Sequence, residues 1–339
     1  MCLLERLAEN YKRISIVGMA KNAGKTTALN YLIEEAMDEG LTLGITSTGR
    51  DGEGTDVVTG TEKPRVYLDT DTIVSVPKQL YELADAGLEI LEETPYGTAL
   101  GQILLCRVAD AGYVQVAGPV INTQHIQMCE EMLALGADLV LIDGAIDRKT
   151  IAAPDISDAI ILSTGAVLSR KLDRVVEETA YTVELYSLPV LEDGMEREII
   201  REHAESDRVF IVKNGKAVTL NITTGLGSGK LLDNAIDEEV THVFVPGAFT
   251  QSVVADIDRR KLKATTFVLK DPTKIFIDKA TWGRLRKSGL TVKVLENITV
   301  AAITVNPTSP AGYSFDHGEL ASAMAKAVPD IPVIDVMMA

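Results

Sequence analysis

The sequence predicts an α/β fold: a doubly wound, mostly parallel sheet, followed by a second, smaller α/β domain. Three observations lead there. Short β-branched runs alternate with segments of helical periodicity, the pattern of parallel βαβ units with helices on both faces of a sheet. A strand-like run at residues 13–17 leads through a glycine-containing turn into Gly24-Lys25-Thr26 and a helix. Near residues 192–208 the composition turns charged, and a second strand–helix alternation follows it. The boundary is set there, with residues 1–205 as the nucleotide-binding domain and 206–339 as the second α/β domain.

The elements follow in order. Residues 13–17 (RISIV) read as a strand, and residues 25–40 as a helix with Leu29, Leu32, Ile33 and Ala36 at three- and four-residue steps, stopped by Gly40. Residues 41–46 form the next strand, and residues 66–76 hold one or two short ones. Residues 101–112 read as helix, 113–117 as strand, 123–136 as helix, and 138–142 as the most apolar strand of this half. A strand at 158–162 and a helix at 170–187 complete it. In the second half, residues 209–220 read as a hairpin turning at Asn214-Gly215. Strands are expected at 241–245, 265–269 and 300–305, with helices at 252–261 and 272–288.

Bulk properties narrow the function classes. The 339 residues suit about two domains. With 46% hydrophobic and 24% charged residues, the chain has a globular rather than a disordered composition. A formal net charge of -16 repels nucleic acid and anionic membranes, so neither is expected as a partner. Cys2, Cys106 and Cys129 show no paired spacing, which suits a reducing compartment. The first residues carry no basic-then-apolar leader, and no apolar run reaches the roughly 18 residues of a membrane span. A cytoplasmic protein is expected.

The strand-to-helix turn reads Gly18-Met19-Ala20-Lys21-Asn22-Ala23-Gly24-Lys25-Thr26-Thr27. Its second half matches the Walker A pattern. The first glycine does not, because Met19 holds the pattern's first position and Gly18 sits one residue earlier. In such a loop, backbone N–H groups and the helix dipole cradle phosphates, which makes Gly18, Asn22, Ala23, Gly24, Lys25, Thr26 and Thr27 the nucleotide contacts. Lys25 is the catalytic cation, reaching the β- and γ-phosphates, and the Thr26 hydroxyl is a Mg²⁺ ligand. Lys21 is either a contact across a homodimer or a solvated loop lysine.

Two carboxylates complete the expected site. Asp51, in the glycine-rich stretch 46–54, either holds the metal's water or orients the attacking water, and Arg50 beside it neutralises phosphoryl charge. The competing reading of that stretch is an acidic surface loop. Asp143 ends the apolar run Leu139-Val140-Leu141-Ile142, as a Walker B aspartate does, and is a Mg²⁺ ligand directly or through water. Asp147, Arg148 and Lys149 follow it closely. The segment Asn306-Pro307-Thr308-Ser309-Pro310, directly after a strand, reads foremost as a proline-stiffened connection, with a substrate- or partner-binding loop as the alternative. The guanine-reading NKxD signature is absent, which favours ATP over GTP. His125, His203, His242 and His317 are too scattered for a zinc site.

The loop at 18–27, together with residues 48–53, 142–149, 152–159 and 162–166, resembles the P-loop component of the lysine 5,6-aminomutase reactivase. More broadly the loop is similar to that of the class containing dethiobiotin synthetase and the molybdopterin-guanine dinucleotide accessory proteins. The resemblance covers most of residues 10–190. It implies an ATPase that works with a second reactivase subunit on an adenosylcobalamin-dependent aminomutase, releasing damaged cofactor. Only Gly24, Lys25 and Thr26 carry over residue by residue. The alternative is an ATP-dependent small-molecule kinase or ligase of the dethiobiotin-synthetase-like class. A nucleotide sensor without turnover is the third reading.

Overall fold

A computed structural model describes residues 2–48, 65–144, 156–222 and 228–338. The strands, in chain order, begin with β1 (Arg13–Gly18), β2 (Leu43–Ser47), β3 (Val66–Leu68), β4 (Ile73–Pro77) and β5 (Gly87–Thr98). Next come β6 (Gly101–Asp110), β7 (Gly112–Val114), β8 (Leu139–Asp143), β9 (Ala159–Gly165), β10 (Phe210–Lys213) and β11 (Lys216–Thr219). They continue with β12 (Val240–Phe244), β13 (Phe249–Thr250), β14 (Thr266–Leu269), β15 (Ile275–Phe276) and β16 (Thr291–Val294). The last are β17 (Val300–Asn306), β18 (Thr308–Ser309), β19 (Tyr313–Ser314) and β20 (Val333–Asp335).

The chain divides into two compact units, residues 1–180 with 299–339, and residues 181–298. The first unit is an α/β layer structure on a nine-stranded sheet ordered β20-β17-β9-β1-β8-β2-β4-β6-β5. Its strands are parallel from β20 through β4, and β6 and β5 extend it antiparallel. The central strands are continuous apolar runs because both faces are covered. On β8, Leu139 and Leu141 join one core with Leu29, Leu32 and Ile33 of the helix Lys25–Glu39. Val140 and Ile142 join another with Met128, Cys129 and Met132 of the helix Asn122–Ala134. The two-residue side-chain period of a strand thus feeds both faces.

An acidic side chain ties the entry of the central strands. Asp158 accepts hydrogen bonds from the Lys12 and Arg13 N–H groups and from the Arg13 guanidinium, each at 2.9 Å. Burial by itself would raise this carboxyl, but those donors outweigh it and hold its pKa below the ordinary carboxylate range. The stability it adds is therefore present above the unfolded value near pH 4 and lost as pH falls through the lower folded value. Asp158→Asn is expected to destabilise by about 1 kcal/mol at pH 7, discounted for solvent screening. The gap from the parent in urea midpoint should close toward pH 3; a gap that persists there would contradict this account.

Three sequence expectations change. Residues 101–112 are not helical: Gly101–Asp110 is β6, paired with β4 and β5. Its run Ile103-Leu104-Leu105-Cys106 is wholly buried, and a short apolar run with both faces covered carries no period to distinguish strand from helix. The partner strand β5 went unread because Glu89, Glu92 and Glu93 break its apolar pattern and three register shifts interrupt its pairing. The third change concerns division. The charged stretch 192–208 holds the amphipathic helix that its Ile199-Ile200 pair suggests, Met195–His203, anchored by buried Ile200. The chain leaves the first unit at 180/181 and returns at 298/299 rather than dividing once at 205/206. Residues 300–305, expected in a second domain, form β17 between β9 and β20 of the first sheet.

The second unit is also α/β, with a sheet ordered β11-β10-β12-β14-β16. Its β10–β11 hairpin turns at Asn214 (φ 51°) and Gly215 (φ 67°), the double left-handed turn that Asn-Gly favours. Strands β12, β14 and β16 run parallel, and Phe210 stacks on Phe244 with ring centroids 5.0 Å apart. Among the described residues no helix is long and apolar enough to cross a membrane.

Candidate functional site

Connections from β1 to β2 to β4 step across the sheet in one direction, whereas those from β8 to β9 to β17 step in the other. The reversal falls at the carboxyl end of β1, the position whose crevice binds ligands in open α/β sheets. Gly18 ends β1 there, and the Met19 N–H is held by the Ser163 carbonyl of β9 at 2.9 Å.

The loop then enters the helix Lys25–Glu39 through Gly24, which adopts φ 101°, ψ 18°. A side chain is strained in that conformation, so glycine is the fitting residue. Gly24 provides no side-chain cap, and the first helical hydrogen bond runs from Ala28 N–H to the Gly24 carbonyl. The N–H groups of Lys25, Thr26 and Thr27 therefore open the helix without a capping side chain, at the positive end of its dipole. Asn22 also has positive φ, at 63°. Ala23 is buried and directs its N–H to the Ala20 carbonyl at 3.3 Å, so its donor is partly engaged within the loop.

The displaced glycine now has a physical cause. A Cβ on Gly18 would stand 3.1 Å from Lys25 Cγ and 3.2 Å from Cδ. The aliphatic stem of Lys25 folds back over the end of β1, and the missing side chain at position 18 makes room for it. The same Cβ would stand 3.1 Å from the Ala20 carbonyl oxygen, so position 18, rather than Met19, is the tight one of the two.

Asp143 ends β8, immediately beside β1 and level with Ile16 on one side and Ser47 of β2 on the other. Its surroundings are pinned by backbone: Thr48 N–H donates to the Asp143 carbonyl at 3.1 Å, and Gly144 N–H to the Ile16 carbonyl at 3.1 Å. Adjacent parallel strands lie about 4.8 Å apart, which brings the Asp143 end of β8 alongside the loop. Thr26 is exposed on the first turn of the helix. A hydroxyl and a half-buried carboxylate are hard oxygen donors, the kind that suits Mg²⁺. Asp51, Arg50, Asp147, Arg148 and Lys149 lie outside the described residues.

Of two further neighbours, only the second went unread in the sequence. The first is Asn306, at the end of β17: a Cβ on Gly24 would come within 3.1 Å of Asn306 Cβ and 3.4 Å of its Nδ2. In sequence it opens the 306–310 loop, which carries a substrate- or partner-binding reading beside that of a stiffened connection. The second is the strip before the helix Asn122–Ala134. Gly118 lies so close to the end of β2 that an added Cβ would meet the Ser47 carbonyl and Thr46 Oγ1, each at 2.6 Å. His125 is buried beside it, its Nδ1 3.4 Å from the Pro119 carbonyl. Burial holds its pKa below the usual histidine value, so it is neutral at pH 7. His203, His242 and His317 are dispersed over the fold and form no joint site with it.

No protein-family model, no curated protein and no solved structure matches this chain. What the crevice offers chemically is an uncapped helix start, a lysine folded across it, and oxygen ligands from two adjacent elements. That combination suits a polyphosphate carried with a divalent cation.

Proposed function

We propose that this protein is a Mg²⁺-dependent P-loop ATPase of the cytoplasm. The observation that carries the reading is Lys25, whose stem crosses Gly18 and whose backbone opens the helix after the left-handed Gly24. Phosphate oxygens would take the N–H groups of residues 25–27, and the Lys25 ammonium would stabilise negative charge as it spreads over the γ-phosphoryl group. Thr26 and Asp143 would hold Mg²⁺, which neutralises the β- and γ-oxygens when bound. Asp51 is assigned to the attacking water or to the metal's water. ATP is preferred to GTP.

The physiological role proposed is that of a reactivase component, serving an adenosylcobalamin-dependent aminomutase together with a second subunit. The sequence resemblance supports this role, and the crevice supports only its nucleotide chemistry. The kinase or ligase reading draws on the strip 116–119, which places Gly118 and the uncapped start of the helix Asn122–Ala134 at the carboxyl end of β2. Hydrolysis of ATP and GTP, measured with and without Mg²⁺ and with and without an aminomutase, separates the readings. Turnover raised by the aminomutase is expected. Turnover that responds only to an added small acid or amine would favour the kinase or ligase, and no hydrolysis under any condition would sink both.

Asp143→Ala is expected to raise the Mg²⁺ concentration needed for half-maximal turnover at least about tenfold, the equivalent of 1.4 kcal/mol. A Mg²⁺ titration of turnover that superimposes on the parent's would remove Asp143 from the metal site.

A further inference from the structure

We infer that Asn306 is a nucleotide-contacting residue, its side-chain amide donating to the bound nucleotide at the Gly24 end of the loop. The inference rests on the nucleotide-site reading above. Asn306 is held beside the loop by two missing side chains. At Gly24 a Cβ would press on the Asn306 side chain, and at Gly165 a Cβ would stand 2.0 Å from the Asn306 carbonyl oxygen. Glycines at the start of a helix and at the end of β9 thus converge on one residue of β17.

The amide's orientation is fixed. Its Oδ1 accepts the Thr308 N–H at 3.0 Å, and only the oxygen of the amide can face a donor. Nδ2 is therefore the other terminus, and no hydrogen bond of it is made among the described residues. Asn306 is half-buried, and no described residue accepts a hydrogen bond from its Nδ2. It lies where the uncapped helix start already favours negative charge, and a neutral donor there adds to that preference. Of the two readings the sequence offers for this stretch, a binding loop and a stiffened connection, this assigns it to the ligand site.

The test is equilibrium binding of ADP with Mg²⁺, which needs no turnover, for the parent, Asn306→Asp, Asn306→Ala and Lys25→Ala. Replacing the donor by a carboxylate that repels phosphate is expected to weaken ADP binding more than about tenfold, and removing it about threefold to tenfold. The Asn306→Asp deficit should shrink as salt is raised, because repulsion is screened whereas a folding defect is not. Parent-like ADP affinity in both Asn306 variants, with Lys25→Ala impaired, overturns the role of Asn306 alone. Parent-like affinity in Lys25→Ala overturns the nucleotide-site reading beneath it. A deficit in Asn306→Asp that salt leaves unchanged, with Asn306→Ala binding normally, also overturns the inference.

Discussion

Lys25→Ala is expected to lower ATP hydrolysis at least about 100-fold, the scale of losing one preorganised group that stabilises transition-state charge. The fold should survive it. Lys25 is on the first turn of its helix and half-buried, and it is absent from the apolar core that Ala28, Leu29, Leu32, Ile33 and Ala36 build on the same helix. Alanine is also the better helix former. Lys25→Arg should fail to restore activity, because a planar guanidinium does not reproduce a compact ammonium on a stem packed across Gly18. Steady-state turnover together with a thermal melt checks both parts. A variant that hydrolyses ATP at the parental rate would remove the loop from the mechanism.

Gly165→Ala is expected to be the most damaging single-methyl change in the first unit, destabilising it by about 3 kcal/mol. The new Cβ would lie 2.0 Å from the Asn306 carbonyl oxygen and 2.8 Å from its carbonyl carbon. Both are backbone atoms, so no rotamer change relieves the overlap. Strands β9 and β17 must separate at their carboxyl ends, where Val305 pairs with Thr164 and Asn306 with Gly165. Gly40→Ala is the control. Gly40 has φ 67° but nothing within 4 Å of an added Cβ, so only the left-handed conformation is penalised, at about 1 kcal/mol. Urea unfolding of the two variants should rank them in that order. Equal losses would mean that β9 and β17 yield to the new methyl at little cost, because Gly165 is extended and carries no left-handed strain.

Local signals were legible where a single segment decides its own structure. The run into Gly24, the helix after it, strand β8 and the Asn214-Gly215 hairpin are all readable from short stretches. Strands β5 and β6 were not, because their partners bury them and their own patterns are an apolar block and an acidic ribbon. The site shows the same division. Gly24, Lys25 and Asp143 announce themselves by motif. The reason Gly18 is glycine lies in a side chain seven positions away in the chain, folded back over it. The loop that Asn306 opens is legible as a candidate binding loop, but its neighbours Gly24 and Gly165 are beyond any local reading, since they reach it only through the sheet order.

The insertion of residues 181–298 between β9 and β17 has a consequence for assembly. The ribosome releases the whole second unit before β17 and β20 emerge. Until then β9 is an exposed sheet edge, an apolar surface open to pairing with other chains. Closing so long a span would be slow if the intervening chain were loose, since loop-closure entropy is lost before the contact forms. If the second unit folds first, it shortens the effective span and brings residue 299 toward the waiting edge. The Gly24 end of the loop thus gains its Asn306 neighbour only when the late segment arrives.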